Sequence, residues 1–271
     1  MKYGFIRVAC CAPNLKISDC DYNLAEIKNK IAIAEEKGVK VLVFPELSIT
    51  GSTCGDLFYQ ETLIKGSENA LKKLCDFTRN VNMLIFVGVP VYFNQKLFNC
   101  CAVIFKGELL CFIPKTYISN TKESIESRYF VPYISKPFVE TINYAGFENV
   151  LFGTNILVQD ENDSRLSISA ELSDDLFVPQ SPSSFHVLNG ATAIVNLCAK
   201  NTLIGSSEYI DSQIKAFSAT SSCAYLLSNC GEYESTQDNI YTGESFIYEC
   251  GKLLSKNERF QKCYFPSFIQ T

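Results

Sequence analysis

The sequence predicts an α/β protein with mixed β-sheets. Three observations support this: segments of helical and strand character alternate along the chain, many of the strand segments are apolar on both faces, and several are joined by short turns. The 271 residues are at the upper end of what one hydrophobic core supports, and no low-complexity stretch, repeat or linker divides them. We therefore expect residues 1–271 to form one domain.

The first half of the chain alternates between strands and helices. Apolar residues recur at a helical spacing through 21–38, where Asp21 can cap the start of a helix and Gly38 can end it. In chain order the predicted elements are strand 4–12, helix 21–38, strand 39–47, helix 61–80 and strand 83–91. Strand 39–47 is short and apolar on both faces, as expected of a sheet that helices cover.

The second half of the chain is richer in hairpins. Strands 97–105 and 109–115 flank the turn 106–108, which predicts a β-hairpin, whereas residues 116–135 are polar and irregular. The remaining predicted elements are strands 150–158, 166–172, 191–199, 223–230 and 239–250, and a helix over 206–220. The acidic turn 159–164 joins the first two of these strands into another pair. Such hairpins make the sheets mixed rather than purely parallel.

The composition excludes several classes of protein. The net charge of -5 and the lack of a Lys/Arg block argue against a nucleic-acid surface. No apolar run approaches the length of a membrane span, and the N-terminal run, interrupted by Arg7, is too short for a signal peptide. With no C-x-x-C motif and one histidine, His186, the chain has no ligand set for zinc. We expect no nucleic acid, membrane or metal as a partner.

The cysteines indicate the compartment. There are 13, an odd number, and most lie within apolar segments. Free cysteine behaves as a small buried hydrophobic residue and persists where thiols stay reduced. We therefore expect a cytoplasmic protein.

Three predicted strands end at polar side chains that could act together. These are Glu46, Lys115 and Ser173, the last in an acidic turn of the kind that can present a nucleophile. Glu46 could take the proton of a nucleophile and return it to leaving ammonia, while Lys115 and the backbone N–H of Asp174 could stabilise an oxyanion. Such a set suffices for amide hydrolysis. Spacing and periodicity alone favour the alternative, that all three are ordinary strand ends facing solvent.

Local motifs favour the catalytic interpretation. Three of them resemble motifs of the nitrilase (carbon–nitrogen hydrolase) superfamily, in the order and at the separations usual there: FPELSITGSTCGDLF (44–58), PKTYISN (114–120) and AELSDDLFVP (170–179). The similarity is greatest to the glutaminase domain of glutamine-dependent NAD synthetase. Further similar segments are 126–130, 151–158, 196–201 and 234–238. The resemblance covers nearly the whole chain.

This resemblance implies a fold and a chemistry. The fold would be a four-layer α-β-β-α sandwich that pairs with a second copy through its helices, so we expect a homo-oligomer. The Glu, Lys and Cys of the family would fall on Glu46, Lys115 and position 173, with Glu126 as a second glutamate beside the lysine. In such enzymes a cysteine thiolate attacks a small amide, the side chain of glutamine, and the ammonia passes to a synthetase domain or subunit.

Position 173 departs from the family, because it is serine. A thiol becomes a thiolate readily beside a cation, whereas a serine hydroxyl needs a well-aligned base. His186 lies in a Pro/Ser-rich loop with no evident third partner, so a Ser/His hydrolase is not favoured. Two interpretations remain open: an engineered replacement of cysteine in an intact pocket, or natural loss of catalysis with further changes around the pocket.

Other departures favour natural loss. Ser52 stands where the family usually has tyrosine, Thr121 where an aromatic residue follows the lysine motif, Asp174 where glutamate is usual and Lys200 where a small serine is usual. Together with Phe177, these positions are the predicted substrate-binding residues. If Lys200 faces inward, its charge would repel the ammonium group of glutamine.

The functional hypotheses follow from these matches and departures. The ATP-pyrophosphatase loop, the G-x-G-x-x-G motif and the Walker phosphate loop are absent, so we expect no cofactor. The chain resembles either a piece of a longer synthetase or a free-standing glutaminase-like protein. It would be an inactive carbon–nitrogen hydrolase domain or, alternatively, a degenerate scaffold or binding protein. For a binding module, the aromatic tail 263–271 is the candidate surface, although such a tail more often packs on its own domain or a dimer partner.

Overall fold

The computed structural model describes residues 4–119, 125–134, 138–161, 163–260 and 264–270. Within these ranges, strands form two mixed sheets. The eight-stranded sheet has the order β14 (Tyr264–Gln270), β1 (Phe5–Cys11), β2 (Val41–Val43), β3 (Leu84–Phe93), β4 (Lys96–Phe105), β5 (Glu108–Pro114), β7 (Phe147–Phe152), β6 (Glu140–Tyr144). The six-stranded sheet has the order β13 (Lys252–Lys256), β12 (Ser245–Glu249), β11 (Ala224–Asn229), β10 (Ala193–Cys198), β9 (Asp163–Leu172), β8 (Val158–Asp160).

In the part of the chain that the structure describes, four α-helices cover the outer faces of the sheets: α1 (Cys20–Glu36), α2 (Glu61–Phe77), α3 (Pro182–Leu188) and α4 (Ser206–Ser221). Helices α1 and α2 pack with one face of the eight-stranded sheet, and α4 packs on the six-stranded sheet, with α3 beside β9. Alternate side chains of the strands point the other way, and those of the two sheets meet in a central core. The four-layer α-β-β-α sandwich is confirmed.

Parallel strands occupy the part of each sheet that matters for the site. β1, β2 and β3 run parallel in one sheet, and β9, β10 and β11 run parallel in the other. Hairpins extend both sheets with antiparallel strands, which makes them mixed, as predicted. The carboxyl ends of parallel strands lie at one edge of a sheet, where α/β proteins place their sites.

Several predicted boundaries need correction. The cap of α1 is Asp19, whose side chain accepts a hydrogen bond from Tyr22 N at 3.0 Å, and not Asp21. The predicted strand 150–158 is two strands, because its first part is β7 in one sheet and its last part is β8 in the other. Gly153, Thr154 and Asn155 between the two parts are residues typical of a loop, a sign of the break that the predicted single strand passed over. Strands β6, β13 and β14 and helix α3 were not predicted.

The aromatic tail forms an edge strand. β14 pairs antiparallel with β1 over its whole length, and Ile269 is buried in the central core. The tail therefore packs on its own chain along its backbone. Within the described ranges, the structure contains no helix with the length and apolar character needed to cross a bilayer.

Gly88 in β3 positions the segment that carries Glu46. A Cβ atom at Gly88 would lie 2.1 Å from Leu47 N and 2.5 Å from Pro45 O, so the segment can approach β3 only because this residue has no side chain. Ser48 Oγ accepts a hydrogen bond from Gly88 N at 3.2 Å. The loop after β2 is thus held directly against the neighbouring strand.

We expect Gly88→Ala to lower the free energy of unfolding by about 1–3 kcal/mol, because the new methyl group must displace backbone atoms. Gly153→Ala is a matched control, since a Cβ there would lie 3.6 Å or more from its nearest neighbours. Denaturant unfolding of both variants measures the difference. Equal stability of the two variants would contradict the close approach at Gly88.

Candidate active site

Glu46, Lys115 and Ser173 line one cavity of about 550 Å³. Each residue lies just beyond a strand: Glu46 after β2 and Lys115 after β5 of one sheet, and Ser173 after β9 of the other. The cavity therefore lies where strand ends of the two facing sheets meet. The structure brings these three predicted residues together and does not leave them as solvent-facing strand ends.

Lys115 is the centre of a buried charge cluster. Its side chain is 2% exposed, and its ammonium lies 3.0 Å from Glu46 Oε1, 2.6 Å from Glu126 Oε2 and 3.6 Å from Asp174 Oδ2. The Asn99 amide donates to Glu46 Oε1 and, at 2.7 Å, to Glu126 Oε1. Asn99 also bonds Lys115 through the backbone, since Lys115 N donates to Asn99 O at 2.8 Å.

The cluster shifts the protonation of its members. Desolvation alone would lower the pKa of Lys115, but the charges of Glu126, Glu46 and Asp174 outweigh it and hold that pKa well above its ordinary value. Burial raises the pKa of Glu46 to about 7, with Lys115 opposing the shift. A carboxyl group with a pKa near neutrality is suited to take up and return protons. Glu46 Oε2 is buried and has no hydrogen-bond partner among the described residues.

Ser173 is held in a strained turn. Its φ is +42°, a left-handed conformation that is costly for a residue with a side chain. Ser173 N donates to Asn196 Oδ1 at 3.0 Å, and Asn196 Nδ2 donates to the hydroxyl of Tyr225 at 3.0 Å. Tyr225 in turn donates to Glu171. This buried chain of hydrogen bonds fixes the turn against β10 and β11.

Asp175 connects the Ser173 turn to the Lys115 segment. Its carboxylate accepts from Leu172 N at 3.2 Å, from Thr116 N at 3.3 Å and from Tyr117 N at 2.7 Å. One buried side chain therefore ties the end of β9 to the residues that follow Lys115. The relative position of Ser173 and Lys115 depends on these bonds.

The Ser173 hydroxyl has two hydrogen-bonding contacts among the described residues. Its Oγ lies 3.4 Å from Ala199 N, a donor, and 3.7 Å from Cys198 Sγ. Burial raises the pKa of the Cys198 thiol to about 12, so this sulfur is not a base at neutral pH. Among the hydrogen bonds of the described residues, none joins Ser173 Oγ to Glu46 or Lys115.

The predicted substrate-binding residues divide into two groups. Ser52, Asp174 and Lys200 line the cavity, whereas Phe177 does not and lies behind Lys200, its ring 5.1 Å from the ammonium. The ring of Phe177 stacks on that of Tyr209 in α4, at 5.5 Å between centroids, and Tyr209 itself lines the cavity. Position 121 lies outside the described residues.

Lys200 reaches into the cavity with its charge partly balanced. Its ammonium lies 2.8 Å from Asp174 Oδ1. Burial opposes the charge of Asp174, but Lys115 and Lys200 prevail and lower the pKa of this carboxyl. Asp174 thus bridges two lysines, and the cavity wall carries an ion pair that the sequence motifs did not reveal.

Three residues of the site were missed from the sequence: Asn99, Asn196 and Asp175. Asn99 and Asn196 are single polar residues within apolar strands, and buried polar groups of this kind are bonded to something. That pattern could have identified both as site residues. Asp175 gave no such signal, because its partners come from a distant segment.

His186 lies in α3 and not in a loop as predicted. It is buried, and its Nε2 lies 2.7 Å from the carbonyl oxygen of Thr154. It does not line the cavity of Glu46. A Ser173–His186 pairing is absent from the hydrogen bonds of the described residues.

Comparisons with known proteins agree with this arrangement. A family model described as carbon–nitrogen hydrolase matches residues 7–262. The chain belongs to this family. It is 33% identical over 263 residues to a glutamine-dependent NAD(+) synthetase of Mycobacterium bovis and 31% identical over 261 residues to that of Mycobacterium leprae. Both alignments cover 96% of this chain, which spans 38% of the length of each relative.

Solved structures show the same fold. A glutamine-dependent NAD(+) synthetase from Cytophaga hutchinsonii superposes with a TM-score of 0.85 at 24% identity, covering 98% of this chain and 43% of that one. An amidase from Nesterenkonia sp. superposes with a TM-score of 0.78 at 16% identity, covering 100% of this chain and 92% of that one. At such identities these likenesses show the fold. This carbon–nitrogen hydrolase domain therefore resembles the glutaminase domain of the synthetases.

We expect Ser173→Gly to be more stable than Ser173→Ala by about 1 kcal/mol, because glycine adopts a positive φ without strain. Both variants lack the hydroxyl, so alanine is the matched control for its loss. Thermal or denaturant unfolding measures the difference. If the alanine variant is the more stable of the two, Ser173 is not strained.

Proposed function

We propose that this domain binds a small amide, such as the side-chain amide of glutamine, and that serine at position 173 leaves it without hydrolytic activity. The observation that carries the proposal is the charge cluster of Glu46, Lys115 and Glu126 beside a hydroxyl group at the nucleophile position. The names of the mycobacterial relatives support glutamine as the amide.

The cavity offers complementary groups to an amide. The Lys115 ammonium can donate to the carbonyl oxygen, together with the backbone N–H of Asp174, and Glu46 Oε2 can accept from the amide nitrogen. With a cysteine at 173, sulfur would bond to the carbonyl carbon, Glu46 would take up the thiol proton, and that proton would leave with ammonia as the carbon–nitrogen bond breaks.

Serine does not complete this sequence of steps. A cysteine thiol has a pKa of about 8.5 and loses its proton readily near a cation, whereas a serine hydroxyl is a far weaker acid. Among the described residues, Ser173 Oγ makes hydrogen-bonding contacts with a backbone donor and a buried thiol. The amide would therefore bind and remain intact.

A second candidate function is a degenerate scaffold or binding protein that no longer accepts glutamine. The ion pair between Lys200 and Asp174 favours it, because both side chains line the cavity. A ligand with a free ammonium group would meet the charge of Lys200, of which 35% of the side chain is exposed.

We also propose the wider assembly and its compartment. Leu203, Ile204 and Tyr209, before and in the first turn of α4, have exposed apolar side chains that also line the cavity of Glu46, and they support packing of a second copy beside it. A synthetase domain or subunit would be the further partner, by analogy with the relatives. The twelve described cysteines are all free, and eleven are buried, which supports a reducing compartment such as the cytoplasm.

The protein with Ser173 should release no ammonia from glutamine above the buffer control. We expect Ser173→Cys to release it at least about 100-fold faster than the unchanged protein, which corresponds to about 2.7 kcal/mol in barrier height. A coupled ammonia assay measures both. The buffer must contain reductant, since the new sulfur would stand close to Cys198 Sγ, which lies 3.7 Å from the present Oγ.

Ser173→Ala is the matched control and should release no ammonia from glutamine. Turnover by the unchanged protein at a rate usual for amidases would overturn the claim of an inactive site. If Ser173→Cys releases no ammonia and the double variant Ser173→Cys/Lys200→Ser does, Lys200 blocks the binding of glutamine. If neither variant releases ammonia, the result favours the degenerate scaffold.

A further inference from the structure

Asn99 connects two carboxylates of the candidate site without facing the cavity. It lies in the buried middle part of β4, where its neighbours in sequence are apolar, and it is 1% exposed. It is not among the described residues that line the cavity of Glu46. Any part that Asn99 plays in the proposed chemistry must therefore be exerted through the residues that it contacts.

The side-chain amide of Asn99 has two hydrogen atoms and two carboxylates to receive them. Its Nδ2 donates to Glu46 Oε1 and, at 2.7 Å, to Glu126 Oε1. Asn99 Oδ1 is buried and has no hydrogen-bond partner among the described residues. The two donated bonds therefore set the orientation of the amide, because turning it over would place Oδ1 against two carboxylates.

These bonds close a ring that includes Lys115. The ammonium lies 3.0 Å from Glu46 Oε1, the oxygen that also accepts from Asn99, and 2.6 Å from Glu126 Oε2. On the backbone, Lys115 N donates to Asn99 O at 2.8 Å. Two carboxylates from separate segments are thus held from two sides, by an ammonium and by an amide.

The amide opposes the effects that favour a proton on Glu46. Burial raises the pKa of Glu46 to about 7 and the charge of Glu126 adds to the rise, whereas the charge of Lys115 opposes it. A hydrogen bond donated to a carboxylate favours the ionised form, because that form is the stronger acceptor. The bonds from Asn99 therefore act in the same direction as Lys115. An apolar side chain at this position would fill the space without this effect.

We propose that Asn99 is a positioning residue of this site, which holds Glu46 and Glu126 against one ammonium and favours the ionised form of both. Without this donor, Glu46 would take up its proton at a higher pH. The importance of Asn99 for catalysis rests on the proposed function, in which Glu46 takes up and returns a proton. The hydrogen bonds themselves do not involve the residue at position 173.

Two substitutions separate the donor from the space that it fills. Asn99→Leu has a side chain of similar size without a donor, and Asn99→Asp keeps the shape but replaces the amide nitrogen by oxygen. We expect both to raise the pKa of Glu46, Asn99→Leu by about 1 pH unit, the equivalent of one hydrogen bond to a charged group. In protein labelled at the glutamate carboxyl carbons, NMR follows this titration, and the Glu46 signal is assigned by its absence in Glu46→Gln.

Asn257→Leu is the matched control. Asn257 is 2% exposed, and its side chain bonds to backbone groups of Gly243 and Ser245 and not to a glutamate. This variant also loses a buried asparagine, so it should leave the titration of Glu46 unchanged whatever its effect on the melting temperature.

The unchanged protein gives an independent measurement. With nitrogen-15 in the asparagine side chains, the Asn99 amide resonance should move at the pH at which Glu46 titrates, because protonation of Glu46 weakens the bond between them.

An unchanged or lowered pKa of Glu46 in Asn99→Leu would overturn the proposal and leave Asn99 as a packing residue. If Asn99→Leu does not fold, an unchanged titration of Glu46 in Asn99→Asp would overturn it equally, as would an Asn99 resonance in the unchanged protein that does not respond to Glu46. Failure of Ser173→Cys to release ammonia would count against the proposed function alone, because these titrations require no turnover.

Discussion

The arrangement of this domain around its cavity depends on one buried charge, the ammonium of Lys115. A lysine that is 2% exposed must be paired, and here three carboxylates from separate segments face it. Removing one partner of such a cluster leaves a buried charge uncompensated, a change that typically costs several kcal/mol. The loop after β2 and the end of β5 are therefore fixed relative to each other by electrostatics as well as by packing. The close approach at Gly88 holds the same loop, which carries Glu46, against β3.

The second constraint is the link between the two sheets at the site. Asp175 connects the Ser173 turn to the backbone after Lys115, and Asn196 connects the same turn to β10. These bonds hold Ser173 at its strained, positive φ. Strain of this kind is usual where a turn presents a nucleophile. The turn thus has the strained geometry of turns that present nucleophiles, which is why Ser173→Cys is the informative experiment on function.

The sequence predicted the fold to different degrees in different regions. The hairpin of β4 and β5 was predicted from its short turn, and α1, α2 and α4 from their helical spacing. The crossing from one sheet to the other inside 150–158 was not predicted, because apolar character alone does not say which sheet a strand joins. Glu46, Lys115 and Ser173 were singled out as strand ends, but only the motifs favoured their convergence. Asn99, Asn196 and Asp175 depend on contacts between segments far apart in the chain, and His186 was misplaced in a loop because a short helix after Pro182 resembles one in sequence.

The most direct test of the account is the titration of Lys115. In protein labelled at the lysine ε-carbons, NMR resolves the titration of each ammonium, and the Lys115 signal is assigned by its absence in Lys115→Arg. We predict that Lys115 keeps its proton throughout the pH range in which exposed lysines lose theirs, with an ordinary pKa of about 10.4, and that it titrates only as the protein unfolds. Titration of Lys115 together with the exposed lysines, or at a lower pH, would mean that the carboxylates do not surround it, and would contradict the arrangement on which the site is built.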